Sequence, residues 1–362
     1  MALLILEAFG AAQTTVELLR RFPGADTTVT GTTWVRGRQG GRAWSGVPGT
    51  GTQGVLETAP FPATTELIVG AVVRARALAA PGGVFRHLFS FRDGSGEANA
   101  LCRIAWGPEG HVDGADDFEL ELRRGPQAAD DTNILIAKPF KAFKGDRWSV
   151  IEARVDITAG EYELRVNGLT VLEGVGNIDH IDTGQITRFA LGFRISADPD
   201  TRCWIDSFYV IDPTQPGAND FLGDTISESL LPEADGSLNE WIPSAGDDHY
   251  AMVDEPDEHD VDATYLRSSG EGLEERFQKP ELERTRGGIV AAQQQINARL
   301  EGSGSKDLQA IVARGETSVA ETAQSVTTSD YSLFRFGDND PQTDAAWLQH
   351  HFNDSELGLR TP

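Results

Sequence analysis

The chain has few cysteines, a minority of basic residues and no long apolar run. Its two cysteines, Cys102 and Cys203, are too few for a disulfide framework or a four-thiolate zinc site, and we expect buried free thiols. Lys and Arg total 31 against 56 Asp and Glu, a formal net charge of -25 that repels a phosphate backbone or an anionic lipid surface. No segment approaches the roughly 20 apolar residues that span a bilayer. The sequence therefore predicts a soluble protein with no nucleic-acid partner and no membrane insertion.

The apolar start of the chain is too short for a secretory signal. Residues Ala2–Leu6 lack a basic region and end at Glu7, whereas the apolar core of a signal peptide runs for about 7–15 residues. We expect this segment to form the first strand of the fold.

The strongest pattern present is a strand alternation between Arg147 and Asp212. Apolar residues recur at every second position in three of four segments, and charged residues fill the gaps. The segments are RWSVIEARVDI, EYELRVNGLTVL, TRFALGFRIS and RCWIDSFYVID. Turn residues at Thr158-Ala159-Gly160 and Asn167-Gly168 tolerate the positive φ of tight hairpins. The pattern predicts an antiparallel meander with one dry face, in a β-sandwich or jelly roll.

The length of 362 residues allows two domains. Two prolines and a glycine interrupt strand pairing after the last segment, so we predict a jelly roll over 1–212, a linker over 213–218 and a second domain over 219–362. The second half holds the strand candidates ATYLRSS, LEERFQKP and YSLFRFG. Residues 287–315 fit either two helices, by propensity, or a hairpin turning at 302–304. We favour strands, and hence a β-rich second domain.

Short motifs along the chain resemble a family of tailed-bacteriophage structural proteins. In the first half they are MALLILEAFG, Ile151-Glu152, Arg165-Val166-Asn167-Gly168, Trp204–Val210 and Asn219–Asp224. In the second half they are Asp235-Gly236, Trp241-Ile242-Pro243, Tyr250, Val253-Asp254-Glu255, Asp260, Asp262 and Tyr265. The order of the motifs carries the resemblance. Two positions depart from it, since Glu7-Ala8 precedes Phe9 where Asp-Gly is expected, and Ser207 replaces a second Asp.

The resemblance implies a fold and a role. The first half of such proteins is similar to a concanavalin-A-like, laminin-G-like jelly roll, so we expect an all-β chain with a lectin-like sandwich and a second, β-rich domain. The implied role is that of a non-enzymatic virion structural protein in the tail, the tail fibre or tip, or the head surface. Its partners would be other virion proteins, contacted as a homo-oligomer or in several copies. Its location would be the virion, after synthesis in the host bacterial cytoplasm.

A glycine-rich segment over 36–54, together with Trp34 just before it, contains the residues that we expect to contact a protein or glycan partner. Aromatic and arginine side chains supply most of the binding energy at such surfaces. The candidates are Trp34, Arg36, Arg38, Arg42 and Trp44, in edge strands and rim loops of the jelly roll. Burial of both tryptophans in the core is the alternative. A host-recognition module that binds glycan with Ca²⁺ at the rim is the second hypothesis for function.

Acidic residues between 247 and 262 supply candidate ligands for Ca²⁺, which takes six to eight oxygen ligands. The candidates are Asp254, Asp257, Asp260 and Asp262. The stretch lacks the spacing of an EF-hand, and charge runs are usually solvated, so no metal is required by the pattern. A second acidic group, at Asp113, Asp116 and Asp117, matches no fixed motif. The adjacent pair His350-His351 is interpreted as surface histidines, since neighbours on a strand point to opposite faces.

Three carboxylates alternate along one predicted strand, at Asp117, Glu119 and Glu121. A retaining glycosidase needs two carboxyl groups about 5–5.5 Å apart, and the ends of this triplet lie roughly 13 Å apart on an extended strand. The pattern therefore favours a solvated outer face, with the intervening apolar residues inward. A polysaccharide hydrolase that uses Glu119 and Glu121 is the third hypothesis.

The second half is rich in aromatic residues, which interfaces favour. These residues are Trp241, Tyr265, Tyr331, Phe334, Phe336, Trp347 and Phe352. They fit either a surface that docks on neighbouring subunits or the core of the second domain itself, and the sequence leaves both open.

Overall fold

Antiparallel strands make up nearly all of the regular structure, which confirms the predicted all-β class. The computed structural model describes residues 3–7, 32–36, 38, 42–46, 53–76, 86–108, 117–125, 135–137, 143–194, 202–215, 219–226, 228–254, 263–282, 288–302, 304, 306–328, 331–335 and 339–362. The chain divides into two units, 1–227 and 228–362.

The described residues of the first unit include fifteen strands. They are β1 (Leu3–Glu7), β2 (Thr32–Arg36), β3 (Arg42–Gly46), β4 (Gln53–Glu57), β5 (Glu66–Arg76), β6 (Arg86–Arg92), β7 (Ala100–Pro108), β8 (Asp117–Arg124), β9 (Leu135–Ala137), β10 (Phe143–Lys144), β11 (Trp148–Asp156), β12 (Glu161–Val166), β13 (Leu169–Val175), β14 (Arg188–Arg194) and β15 (Arg202–Ile211). A 3-10 turn over Glu97–Asn99 precedes β7.

These strands form the two sheets of a β-sandwich. Sheet A has the order β13-β12-β11-β5-β15-β3-β2, and β1 also pairs with β15. Sheet B has the order β10-β8-β7-β6-β14-β4, and β9 also pairs with β8. Val69 and Ala71 of sheet A share one apolar core with Phe89 and Phe91 of sheet B. The predicted jelly-roll sandwich is confirmed, and both cysteines are buried free thiols, as expected.

The turn residues act as the sequence predicts, but they divide one predicted strand into two. Asn167 and Gly168 have φ values of 51° and 80°, so they form the two-residue hairpin between β12 and β13. Asn167 Oδ1 also accepts the Val150 N–H at 2.9 Å. The segment EYELRVNGLTVL is therefore a hairpin.

The predicted four-strand meander is wrong at its third segment. β14 lies in sheet B between β6 and β4, and β15 returns to sheet A between β5 and β3. Alternation indicates which residues of a strand face the core. Because both sheets face the same core, it cannot indicate which sheet a strand joins.

The first unit extends beyond the predicted linker. The sequence placed its end at 212, whereas the chain divides after Ser227. Residues 219–226, here called the strap, bind sheet A through backbone donors. The Leu222 N–H donates to Tyr209 Oη at 3.1 Å, and the Gly223 N–H donates to Glu152 Oε1 at 2.7 Å. These bonds attach the strap to the sandwich.

A chain ending at Ser227 is expected to be more stable than a chain ending at Asp212. The shorter chain keeps every strand of the sandwich but leaves the buried Tyr209 and Glu152 without the strap donors, at a cost of about 1–3 kcal/mol. Thermal unfolding of both chains, followed by circular dichroism, measures the difference. We expect a β-type spectrum from both, and equal melting temperatures would contradict the role given to the strap.

Within its described residues, the second unit has ten strands, one short α-helix and a 3-10 turn over Tyr250–Met252. They are β16 (Ala234–Asn239), β17 (Ile242–Pro243), β18 (Leu266–Arg267), β19 (Glu274–Gln278), β20 (Gln293–Asn297), β21 (Lys306–Arg314), β22 (Thr317–Ala320), β23 (Gln324–Val326), β24 (Tyr331–Arg335), β25 (Glu356–Arg360) and α1 (Gln349–Asn353). Its main sheet has the order β16-β19-β25-β21-β22, with β23 also on β21. Strands β17 and β18 form one further ladder, and β20 and β24 form another. In the part of the chain that the structure describes, no helix could cross a membrane.

Residues 287–315 contain strands β20 and β21, so the preference for strands over helices is confirmed. They do not form the expected hairpin, because β20 pairs with β24 while β21 pairs with β22, β23 and β25. A propensity-based prediction fails here because the tertiary pairing decides the conformation.

Two of the aromatic residues considered for docking lie in the core of the second unit. Trp347 and Phe352 pack edge to face with ring centroids 5.4 Å apart, and both are buried. Trp241 packs partly buried against the same cluster, whereas Tyr265 is exposed. The side chains of Tyr331 and Phe334, and all of Phe336, lie outside the described part of the chain.

Lys279 of the second unit closes the end of α1. Its ammonium group donates to the backbone oxygen of Phe352, near the end of the helix, and, at 2.8 Å, to that of Ser355, just beyond the helix. Burial lowers the pKa of Lys279 to about 8, although the charges of Asp354 and Glu233 act in the opposite direction.

The stability of the chain is expected to rise with pH in the range that Lys279 sets. Between a folded pKa of about 8 and the ordinary value of 10.5, the unfolded state binds more protons than the folded state. Stability therefore increases with pH across that window, by up to about 3 kcal/mol. Calorimetric unfolding of the wild type and of Lys279→Met measures this, since the variant lacks the contribution. An identical pH dependence in both proteins would contradict the assignment.

Candidate functional site

The predicted contact residues lie on a hairpin at the edge of sheet A. Strands β2 and β3 pair Trp34 with Trp44 and Arg36 with Arg42. Trp44 is fully buried in the core, which corresponds to the alternative that the sequence left open, so Trp44 cannot belong to an exposed surface. The side chains of Trp34, Arg36 and Arg42 lie outside the described part of the chain.

Arg38, at the tip of this hairpin, binds the strap. Its guanidinium forms a two-pronged ion pair with both carboxylate oxygens of Asp224, one of them at 2.6 Å. Its backbone N–H donates to Asp206 Oδ2 at 2.7 Å. The hydrogen bond and charge of Asp224 raise the pKa of Arg38. Arg38 therefore joins the hairpin, β15 and the strap.

The centre of the strap site is a buried tyrosine–glutamate pair. The Tyr209 hydroxyl donates to Glu152 Oε1, and both side chains are buried. Burial and the nearby Glu152 carboxylate raise the pKa of Tyr209 far above its ordinary value, so the hydroxyl remains a donor at any working pH. The Gly223 N–H completes the set of donors to Glu152 Oε1.

Two further contacts shape the site. Gly70 on β5 lies opposite Tyr209 on β15. A Cβ at Gly70 would meet Tyr209 Cε1 at 2.3 Å, so only glycine leaves room for the ring. Arg165 places its guanidinium 4.0 Å from the ring centroid of Phe221 in the strap, a cation–π contact. Its other partner is Glu163 Oε1, at 2.8 Å.

The motifs that carried the resemblance therefore meet at one place. Glu152, Arg165, Tyr209 and the strap residue Gly223 come from four separate motifs and contact the same cluster. The residue pattern alone indicates no individual role for these four residues. The sequence signal for their association is the set of motifs itself. A hydrogen bond from a backbone N–H does not depend on the type of residue that donates it, so it cannot be recognised in the sequence.

Motif residues of the second unit also converge, around Glu275. The Trp241 N–H donates to Glu275 Oε2 at 2.9 Å, and His249 Nδ1 lies 2.8 Å from Glu275 Oε1. The Tyr250 N–H donates to Asp235 Oδ1 at 2.7 Å. Burial raises the pKa of Glu275, although both of its partners oppose the shift. The cluster fixes the turn that follows β16.

Two of the three carboxylates of β8, those of Glu119 and Glu121, are buried, which corrects the prediction of a solvated outer face. Phe118 and Leu120 face the core as predicted, but Glu119 and Glu121 on the opposite face are 8% and 2% exposed. Alternation assigns a residue to a face and does not indicate whether another segment covers that face. Arg123 binds Glu121 Oε2 through Nε at 2.7 Å and Nη2 at 2.6 Å.

The same face of sheet B holds a second charged cluster around Glu57. Arg92 Nη1 binds Glu57 Oε2 at 2.6 Å, and Arg188 Nη1 binds Glu57 Oε1 at 3.2 Å. Ser95 Oγ and the Gly96 N–H donate to the same carboxylate at 2.9 Å. Glu57 therefore fastens the loop after β6 to strands β4, β6 and β14.

No group of three or more potential metal ligands occurs within the described ranges. Asp254 is described and half-buried, whereas Asp257, Asp260 and Asp262 lie outside those ranges, and so do Asp113 and Asp116. The proposal of Ca²⁺ at the acidic stretch stays a prediction.

The histidine pair lies on helix α1 and not on a strand. His350 is exposed, but His351 Nδ1 lies 2.9 Å from Oδ2 of the buried Asp340. Asp340 also binds Arg314 and accepts from Thr343 Oγ1 at 2.9 Å. These partners lower the pKa of Asp340 against the effect of burial. His351 thus has a structural role that the sequence did not indicate.

Comparison with known proteins gave neither a matching family model nor a matching curated protein. Among solved structures, the chain is similar to a cellulose-induced protein, with 15% identity, a TM-score of 0.41, 61% of this chain and 100% of that chain covered. It is similar to an alginate lyase in complex with alginate tetrasaccharide, with 11% identity, a TM-score of 0.38, and 55% and 91% covered. A carbohydrate esterase from the Shiga toxin-encoding bacteriophage phi24B gives 16% identity, a TM-score of 0.34, and 50% and 87% covered. At these values nothing about function follows from the likeness.

Proposed function

We propose that the chain is a non-enzymatic structural protein of a tailed-bacteriophage particle. Its sandwich makes contacts with other particle proteins and with a surface glycan, and its second unit docks on neighbouring subunits. The protein acts in the tail, the tail fibre or tip, or on the head surface, in several copies.

The observation that carries the proposal is the convergence of motifs at the strap. Motifs far apart in the sequence place Glu152, Arg165, Tyr209 and Gly223 in one interacting cluster. The convergence therefore supports the resemblance, and the resemblance supports the virion role.

The geometry of sheet B gives less support to a hydrolase. Glu119 and Glu121 lie two residues apart on one strand, but Arg123 holds the Glu121 carboxylate through two nitrogen atoms. The Glu57 carboxylate, on β4 four strands away from β8 in the same sheet, is likewise held by Arg92 and Arg188. A retaining mechanism needs one carboxylate free to attack the sugar and one acid to protonate the leaving group. Carboxylates engaged by arginine serve the packing of the sheet instead.

Particles purified from the bacterium that carries the gene test the proposal. Quantitative mass spectrometry should find the full chain at a constant copy number per particle, and a chain that lacks residues 228–362 should be absent from particles. Absence of the full chain would overturn the virion role, and normal copy number of the truncated chain would overturn the docking role of the second unit. Polysaccharide hydrolysis that is lost in Glu119→Gln would support the hydrolase.

A further inference from the structure

Two tryptophans and an arginine form a row across the outer face of sheet A. Arg74 on β5 is paired directly with Trp148 on β11 and directly with Trp204 on β15. Residues paired directly across antiparallel strands project from the same face. Val73 and Ala75, the neighbours of Arg74, lie in the core, so the row projects away from it.

The row is held in place by its own contacts. Arg74 packs its guanidinium 5.2 Å from the ring centroid of Trp204. Asp146 Oδ1 accepts from Arg74 Nε at 3.3 Å and from Nη2 at 2.9 Å. Asp146 has a φ of 59°, in the turn directly before Trp148. One turn therefore supplies both the carboxylate that orients Arg74 and one of the two indoles.

The row is accessible. The Arg74 and Asp146 side chains are 38% and 50% exposed, and both indoles are half-buried. Arg74 lies four residues from Gly70 along β5, so the row is roughly 13 Å from the strap site. The row and the strap site are thus separate features of the same sheet.

The spacing of the indoles fits a linear sugar chain. Trp148 and Trp204 lie on strands two positions apart, so their backbones are roughly 10 Å apart, about the length of a disaccharide. A pyranose ring presents an apolar C–H face that packs on an aromatic ring, and hydroxyl groups at its edge that pair with guanidinium and carboxylate groups. The row offers these contacts in the order indole, guanidinium, indole.

We propose that Trp148, Arg74 and Trp204 bind an extended polysaccharide that runs across the strands of sheet A. Two sugar rings pack on the two tryptophans, and Arg74 and Asp146 bind the hydroxyl or carboxyl groups between them. The row occupies one register position on three strands. That width suits one polymer chain, whereas a stable protein interface buries about 800 Å² on each partner.

An array of linear polysaccharides, neutral and acidic, tests the site with the full chain. Binding is then measured by calorimetry with two probes, hexasaccharides of β-1,4-linked glucose and of β-1,4-linked mannuronate. We expect either the neutral or the acidic class of polysaccharide to bind. Trp148→Ala and Trp204→Ala should each weaken that binding about tenfold, and the double replacement should abolish it. Replacement by Phe at either position keeps an aromatic face and should restore part of the affinity. Leu169→Ala, an exposed apolar residue on β13 of the same sheet, is the matched control and should bind normally.

Two results would overturn the site. The first is an array on which no sugar loses its binding when both tryptophans are replaced. The second is hexasaccharide binding that persists in the double variant while circular dichroism shows an intact fold. The inference rests on the proposed function in one respect: the sandwich binds polysaccharide and does not cleave it. Cleaved products among the bound sugars would refute the non-enzymatic role and leave the site standing. If the sugar-binding site is refuted, the expected copy number of the chain in purified particles does not change.

Discussion

Replacement of Gly70 by alanine is expected to lower the free energy of unfolding of the first unit by about 2–4 kcal/mol. The added Cβ would lie 2.3 Å from Tyr209 Cε1 and 2.4 Å from Tyr209 Cζ, so the ring must move. The ring is buried, and its hydroxyl is fixed by Glu152 and the Leu222 N–H. Movement of the ring therefore also weakens the strap. Chemical denaturation of the full chain measures the loss, and hydrogen exchange of residues 219–226 reports on the strap.

Gly176, directly after β13, provides a control. A Cβ at Gly176 would meet only Ile136 Cγ2, at 3.7 Å, an ordinary contact, so Gly176→Ala should change stability by less than about 0.5 kcal/mol. In a Tyr209→Ala background the Gly70→Ala change should cost much less, because the ring that it meets is absent. An equal cost in both backgrounds would show that Tyr209 is not the reason for glycine at this position.

Replacement of Asp340 by alanine is expected to destabilise the second unit by about 3–5 kcal/mol. Asp340 is fully buried, and its loss leaves Arg314 and His351 without the carboxylate that binds both. The lowered pKa of Asp340 gives the effect a pH dependence. Its contribution is complete above the ordinary carboxyl pKa and is lost as pH falls through the lowered, folded-state pKa. Melting temperatures of wild type and variant should therefore converge in acid.

Asp344→Asn is the control for this prediction. Asp344 has a φ of 53°, which asparagine tolerates, and it is exposed, so stability should change by less than about 0.5 kcal/mol. Two results would contradict the central role of Asp340. One is a loss of stability in Asp340→Ala as small as in the control, and the other is a loss that stays constant down to strongly acidic pH.

Local features were predictable from the sequence because they depend on neighbouring residues. The alternation of β11 correctly placed Ile151 and Ala153 in the core, and the Asn167-Gly168 turn formed where the residues allow positive φ. The sheet that β14 joins was not predictable, since its residues face the same core from either sheet. The burial of Glu119 was missed for a related reason, because the covering of an outer face depends on distant segments.

The two sites on sheet A required the pairing register. Trp148, Arg74 and Trp204 lie on separate parts of the sequence, and only the pairing of β11, β5 and β15 aligns them. The strap depends on backbone N–H groups of Leu222 and Gly223, which every sequence carries. The aromatic candidates of the hairpin illustrate the opposite case, since Trp44 has the residue type of a contact surface but the position of a core residue.

The strap lies between β15 and the second unit in the sequence, so it would be the first part of the sandwich to meet mechanical tension on the second unit. Force applied at residue 228 acts on the strap before it acts on β15. The Arg38–Asp224 ion pair and the hydrogen bonds donated by the Leu222 and Gly223 N–H groups therefore bear the force first. If they give way, residues 213–226 can extend by on the order of 50 Å while every strand of the sandwich stays paired. The strap would then act as a reversible extension that limits the force on the fold.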